Sequence, residues 1–150
     1  MTGEVQFHSL LVDLFSAGAI PAGSLLEAGS FDGMDALCFA ALAPERRVHA
    51  IDPVLSNIVR LRRRMALLGD AAQSKVVLHH AALGGRSARV SVGHVAGGMA
   101  ADLQLNPQLN VTVAKSSHES VDVSRIDDLF HSRWPEETLG FAALDVRPLQ

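Results

Sequence analysis

Two acidic residues that close short apolar runs carry the chemical signal of this chain. Leu25-Leu26 leads into Glu27, and Ala50-Ile51 leads into Asp52. Between the two acids, Gly29-Ser30-Phe31-Asp32-Gly33 forms a G-x-x-x-G turn. In an α/β sheet such positions meet at the carboxyl ends of adjacent parallel strands, where nucleotide-type ligands bind. A glycine at 29 lets the backbone approach a ligand where a Cβ would obstruct it. Gly33 opens the next helix, whose first N–H groups can receive an anion such as a carboxylate.

The turn also argues about which nucleotide. The dinucleotide pattern G-x-G-x-x-G has a middle glycine, and here Phe31 stands in its place. That bulk leaves little room for a pyrophosphate and argues against NAD or FAD. An adenosine ligand without pyrophosphate needs less. Asp52 lies 23 positions after Gly29, where its carboxylate can accept hydrogen bonds from both ribose hydroxyls. Glu27 can bind a cationic amino group directly or through water. S-adenosylmethionine joins adenosine, an amino acid and a sulfonium cation without any phosphate, and it suits an acid-rich pocket. Simpler roles compete: Glu27 as an acid beside a helix N terminus, and Asp52, before Pro53, as a turn acid.

The elements that must position these residues can be read from periodicity. Residues 5–17 place Leu10, Leu11, Leu14 and Phe15 at helical spacing, and Gly18, Pro21 and Gly23 stop that helix. Residues 24–28 read as a buried strand. Residues 35–42 read as a helix that is apolar on most sides and therefore covered by other elements. Residues 47–51 form the next strand. Residues 55–68 form a helix with Ile58, Leu61, Met65 and Leu68 on one face, and residues 74–79 a third strand. This β-α-β-α-β order predicts a parallel sheet with right-handed crossovers. Residues 88–92 and 111–113 read as strands of an excursion, broken by Gly97-Gly98 and Asn106-Pro107. Residues 121–123 are a further short strand, residues 126–130 can start a helix, and residues 141–146 are the last strand, in an expected order 3-2-1-4.

Composition bounds the rest. The chain has 150 residues, 48% hydrophobic and 19% charged, with a net charge of −3. One globular domain with a genuine core is expected, and the charge makes no case for nucleic acid or an anionic membrane. The single cysteine, Cys38, excludes an internal disulfide and a cysteine-based zinc site, and reads as a small apolar helix residue. No targeting segment is evident, because Met1–Glu4 has no basic region and Asp13 interrupts the apolar stretch that follows. No run approaches a membrane span. The default expectation is a soluble, cytoplasmic protein.

Taken in order, these motifs resemble an S-adenosylmethionine-dependent methyltransferase of the FkbM type. The family reads as an acid, an apolar residue and Gly-Ala-Asn-x-Gly at its first strand, similar here to Glu27-Ala28-Gly29-Ser30-Phe31-Asp32-Gly33. Its second strand ends in an acid and a proline with an asparagine shortly after, as in Asp52-Pro53 and Asn57. Its Ala-Leu-Gly after the third strand is matched by Ala82-Leu83-Gly84, beside the backbone that covers the adenine in the family. A Leu-Asp-Asp-Leu-like segment is resembled by Ile126-Asp127-Asp128-Leu129. Ala143-Leu144-Asp145-Val146-Arg147-Pro148 stands where the family has Lys-Ile-Asp-Val-Glu-Gly. The resemblance spans residues 20–146. It implies a Rossmann-like class I methyltransferase fold and methyl transfer to a hydroxyl of a sugar or secondary metabolite. The implied cofactor residues are Glu27, Gly29, Ser30, Asp32, Gly33, Asp52 and Ala82. The chain departs from the family at Phe31, Ala143 and Arg147-Pro148. It ends at Gln150, before the family's later strands and C-terminal hairpin, which predicts an incomplete sheet and a homo-oligomer or partner chain at its exposed edge.

Asp145, at the end of the last strand, is the candidate to orient the acceptor or take its proton. It can equally be an ordinary polar residue near a chain terminus. The seven histidines show no ligand spacing, and His79-His80, adjacent on a strand, point to opposite faces. They read as ordinary polar residues, and no metal is expected. Arg60, Arg62, Arg63 and Arg64 read as a solvated helix face. Two functions follow: a small-molecule O-methyltransferase, or a non-catalytic adenosylmethionine-binding or interaction module.

Overall fold

A computed structural model describes residues 3–94, 101–104 and 119–145. The chain is α/β, with a four-stranded parallel sheet compatible with a Rossmann-like fold. After helix α1 (Gly3–Ser16) come β1 (Ser24–Ala28), α2 (Met34–Leu42), β2 (Val48–Asp52), α3 (Leu55–Leu68), α4 (Asp70–Lys75) and β3 (Val76–His80). The final strand of this sheet, β8 (Leu139–Leu144), returns beside β1, so the order is β3-β2-β1-β8. The chain first steps outward from β1 through β2 to β3. Right-handed crossovers therefore place α2 and α3 on the same face.

That face holds the main core. Leu25, Val48, Ala50 and Val76 from the strands meet Leu11 of α1, Ala36 and Phe39 of α2, and Leu61 and Met65 of α3. Phe39 packs edge-on against Phe141 of β8, with ring centroids 5.7 Å apart. The opposite face, with Leu26, Ala28 and Ile51, is closed by Leu129 and Trp134 of the segment before β8. Residues within β1 and β2 are buried throughout, as strands covered on both faces must be.

Between β3 and β8 the chain builds a second sheet, order β4-β7-β5-β6. Its strands are β4 (Ala82–Leu83), β5 (Ala88–His94), β6 (Ala101–Gln104) and β7 (Glu119–Ser124). Val90, Val92, Val121 and Val123 alternate inward with Ala82 and Val54. The strand expected at residues 111–113 lies outside the described residues. β7 leads into α5 (Ile126–Asp128) and a π-helical turn, Leu129–Arg133.

Several expectations need correction. Residues 74 and 75 are not strand but the end of α4, which Asp70 opens and Lys75 closes, matching the helix dipole at both ends. The strand begins at the β-branched Val76. The last strand runs from Leu139 to Leu144, so Asp145 follows it, and Val146 lies outside the described residues. Leu68 is not on the buried face: it is 62% exposed, because the last turn of α3 projects beyond the core that holds Ile58, Leu61 and Met65. Leu10 of α1 is exposed while Leu11 turns inward. Among the described residues no helix is long and apolar enough to cross a membrane.

Candidate functional site

The carboxyl ends of β1 and β8 lie side by side, Ala28 pairing with Leu144. Asp145 N–H donates to Ala28 O at 2.9 Å, carrying the ladder one residue further. This contact explains Gly29 (φ +85°): a Cβ there would lie 2.1 Å from the Asp145 carbonyl oxygen. The neighbouring strand end, rather than a ligand, demands this glycine. Gly33 (φ +75°) answers a different neighbour, since its Cβ would lie 2.2 Å from Leu61 of α3.

The turn between them is held by acids. Phe31 adopts a positive φ of 41°, a conformation costing on the order of 1–3 kcal/mol in a non-glycine residue. Its N–H donates to Asp52 Oδ2 at 2.8 Å. Asp52 Oδ1 accepts from Val54 N–H at 2.8 Å and from Asn57 Nδ2 at 3.1 Å. Asp52 thus ties the turn, the end of β2 and the start of α3 together, and it is buried. Ser30 is buried too, and its hydroxyl points at Ile51 O, 3.2 Å away.

At the start of α2, Asp32 Oδ1 accepts from Met34 N–H at 3.2 Å and Glu27 Oε2 from Ala36 N–H at 3.2 Å. Two of the chain's own carboxylates therefore occupy the helix end that the sequence offered to a ligand's carboxylate. Arg64 reaches back to Asp32 at 2.9 Å, and Arg60 lies over the Phe31 ring, 5.2 Å from its centroid.

A cleft of about 810 Å³ opens at this end of the sheet, well within the range of small-molecule sites. Glu27, Gly29, Ser30, Phe31 and Asp32 line one side, residues 141–145 another, and Phe7, His8, Met34 and Asp35 of α1 and α2 the third. His8 Nε2 and Asp35 Oδ1 meet at 2.7 Å between the two helices. Burial pushes the Glu27 carboxyl up to about 8; the nearby Ser30 hydroxyl and the Ala36 amide oppose the rise, and the charges of Asp35 and Asp32 add to it.

The cleft thus brings together Glu27, Gly29, Ser30, Asp32 and Asp145 from the sequence reading. Gly33, Asp52 and Ala82 do not line it. Gly33 packs on α3, Asp52 is engaged by backbone amides, and Ala82 is buried in the second sheet's core. The sequence reading missed Phe7, His8, Asp35 and Phe141. The two phenylalanines carry ordinary core spacing, and His8 and Asp35 are brought together only by the packing of α1 on α2.

A second polar cluster was also missed, on the opposite face of the sheet. His49 is buried with Nδ1 3.0 Å from His79 Nε2 and Nε2 2.8 Å from Glu137 Oε2. The carboxylate accepts from His49 Nε2–H, so Nδ1 is free to accept from His79. Trp134 stacks on His49 at 3.8 Å, and Ser24 and Arg47 also reach Glu137. Burial holds His49 below the usual histidine value, and burial, with His49 and Arg133 adding, takes His79 to about 4. His80 points the other way, to Pro53 O at 3.1 Å, as adjacent strand residues must. Among the described residues no group of histidines, cysteines and acids is arranged to hold a metal ion. Cys38 is half-buried in α2, and burial, with Asp35 adding, raises its thiol away from reactivity.

Comparison of the chain with protein-family models, with curated proteins and with solved structures finds no match. Its function is therefore read from its own geometry.

Proposed function

We propose that the cleft binds S-adenosylmethionine and that the chain is an O-methyltransferase acting on a small-molecule hydroxyl. One observation carries this reading: four carboxyl groups, of Glu27, Asp32, Asp35 and Asp145, line the cleft, and no lysine or arginine does so among the described residues. Such a lining suits a cationic ligand and opposes a pyrophosphate. The position at the carboxyl ends of parallel strands agrees with it.

Asp32 already faces Arg64 and Asp35 faces His8. Glu27 and Asp145 are left to receive a ligand's cationic groups. Bound S-adenosylmethionine would supply an electrophilic methyl group. The protein's share is alignment and exclusion of water. Phe7, Phe31 and Phe141 give the cleft apolar walls, Glu27 holds an ammonium from inside, and Asp145, exposed at the rim, orients a hydroxyl and takes its proton.

Calorimetric titration with S-adenosylhomocysteine tests the reading. Glu27→Gln should weaken binding by about tenfold, the worth of a buried charge-assisted contact. Binding of NADH in place of S-adenosylhomocysteine, or a Glu27→Gln variant that binds unchanged, would overturn it. Asp52→Ala is a poor probe of the ligand, since it removes three hydrogen bonds that shape the turn. The exposure of Asp145 also favours a second reading, a binding module without catalysis. Transfer of labelled methyl groups to hydroxyl acceptors separates the two.

A further inference from the structure

We propose that the acceptor taken by this cleft carries a flat aromatic ring bearing the hydroxyl, and that the ring stacks on Phe31. The inference rests on the reading of the cleft as an S-adenosylmethionine site and adds the class of its second substrate.

Three of the chain's six phenylalanines, Phe7, Phe31 and Phe141, line the cleft. Phe7 and Phe141 also pack on the main core, which accounts for them. Phe31 belongs to none of the core clusters. It is half-buried, and its φ of 41° suits glycine or asparagine better than an aromatic residue. Packing therefore does not explain a bulky ring at this point, and strained residues of this kind gather at ligand sites.

The ring is also held in place from outside the cleft. Arg60, which does not line the cleft, lies 5.2 Å from the ring centroid. The Phe31 N–H is fixed on Asp52, and the next residue, Asp32, is fixed on Arg64. A wall ordered in advance loses little freedom when a partner stacks on it. Aromatic faces prefer other aromatic rings in offset or edge contact.

The acid–base chemistry agrees. No lysine lines the cleft among the described residues, and the group at its rim is a carboxylate, Asp145, a class of side chain far less basic than an amine. A phenol, with a pKa near that of tyrosine at about 10, yields its proton far more readily than a sugar hydroxyl. In the transfer, the phenolic oxygen forms the new bond to the methyl carbon. The carbon–sulfur bond breaks with its electron pair passing to sulfur, and the phenolic proton passes to Asp145 or to water.

The test is a titration, followed by calorimetry and by NMR chemical shifts, of the chain saturated with S-adenosylhomocysteine. Catechol and methyl glucoside serve as the probes. Catechol is expected to bind at least about tenfold tighter than methyl glucoside, and Phe31→Leu to weaken catechol by about tenfold. Phe31→Tyr, which keeps the aromatic face, should retain catechol binding, with each variant titrated at its own saturating S-adenosylhomocysteine. Phe31→Asn, whose side chain tolerates this backbone, should repeat the loss with the fold intact. Equal binding of methyl glucoside, or catechol binding unaffected by Phe31→Leu and Phe31→Asn, overturns the inference. If S-adenosylhomocysteine does not bind the wild type, the cofactor reading fails. The catechol titration of the free chain then decides the aromatic site: binding lost with Phe31 supports it, and absent or unchanged binding overturns it.

Discussion

At the scale of single residues, Glu27 and Asp52 look alike in the sequence and behave as opposites. Both close apolar strands, and both are buried. Asp52 receives three hydrogen bonds, from Phe31, Val54 and Asn57. Asp52→Ala leaves those donors without their acceptor and should cost about 2–4 kcal/mol, measured by urea denaturation. Glu27 receives one backbone hydrogen bond, from Ala36, and its carboxyl sits at about 8 against an ordinary 4.5. Its folded value lies above its unfolded value. Its contribution to stability is therefore full below pH 4.5 and is lost as the pH rises to about 8. Glu27→Gln should then gain stability over the wild type between pH 5 and pH 8, by on the order of 3 kcal/mol, in thermal melts across that range. A gain that does not grow with pH would show that Glu27 is ionised in the folded chain. Binding of a cation beside Glu27 should release close to one proton near neutral pH, read from calorimetry in buffers of differing ionisation enthalpy.

At the scale of elements, the site depends on how β8 meets β1. The two strand ends approach so closely that Gly29 has no room for a Cβ beside Asp145. Gly29→Ala should separate them and cost about 3 kcal/mol or more in chemical denaturation, combining backbone strain with overlap. A cost near that of an ordinary glycine-to-alanine change would mean that Asp145 is not held where described. The β-α-β-α-β half was legible because its apolar runs are short and punctuated by Gly and Pro. The join of Asp70–Lys75 to β3 was not, because a short helix without apolar periodicity leaves no pattern to read. β4 was not legible either: its two residues, Ala82 and Leu83, become strand only through pairing with β7.

At the scale of the whole molecule, Glu27 on one face of the sheet and the His49–His79 cluster on the other set opposing responses to pH. His79 has a folded value of about 4, below its unfolded value of 6.5. Its contribution is present above pH 6.5 and is lost as the pH falls toward 4. His49 is lowered in the same direction. Glu27 acts in the other sense, losing stability as the pH rises. The histidine cluster also fastens Glu137 and Trp134, which precede β8, so protonation there should loosen the strand that carries Asp145. His79→Gln is expected to flatten the acid limb of the stability profile below pH 6.5 without altering the alkaline limb, measured by thermal melts. An unchanged acid limb would show that the cluster is not a buried, neutral pair.

The sequence by itself determined the central parallel strands, the helices beside them and the acids at the strand ends, because these follow from local periodicity and turn chemistry. Only the tertiary structure decided which acid faces the cleft. Asp52 is taken up by the N–H groups of Phe31 and Val54 and the side-chain amide of Asn57, whereas Glu27 and Asp145 line one cleft where β8 docks against β1. That choice is governed by contacts between residues far apart along the chain. No local pattern encodes them, and burial and hydrogen bonding settle them only after the sheet has formed.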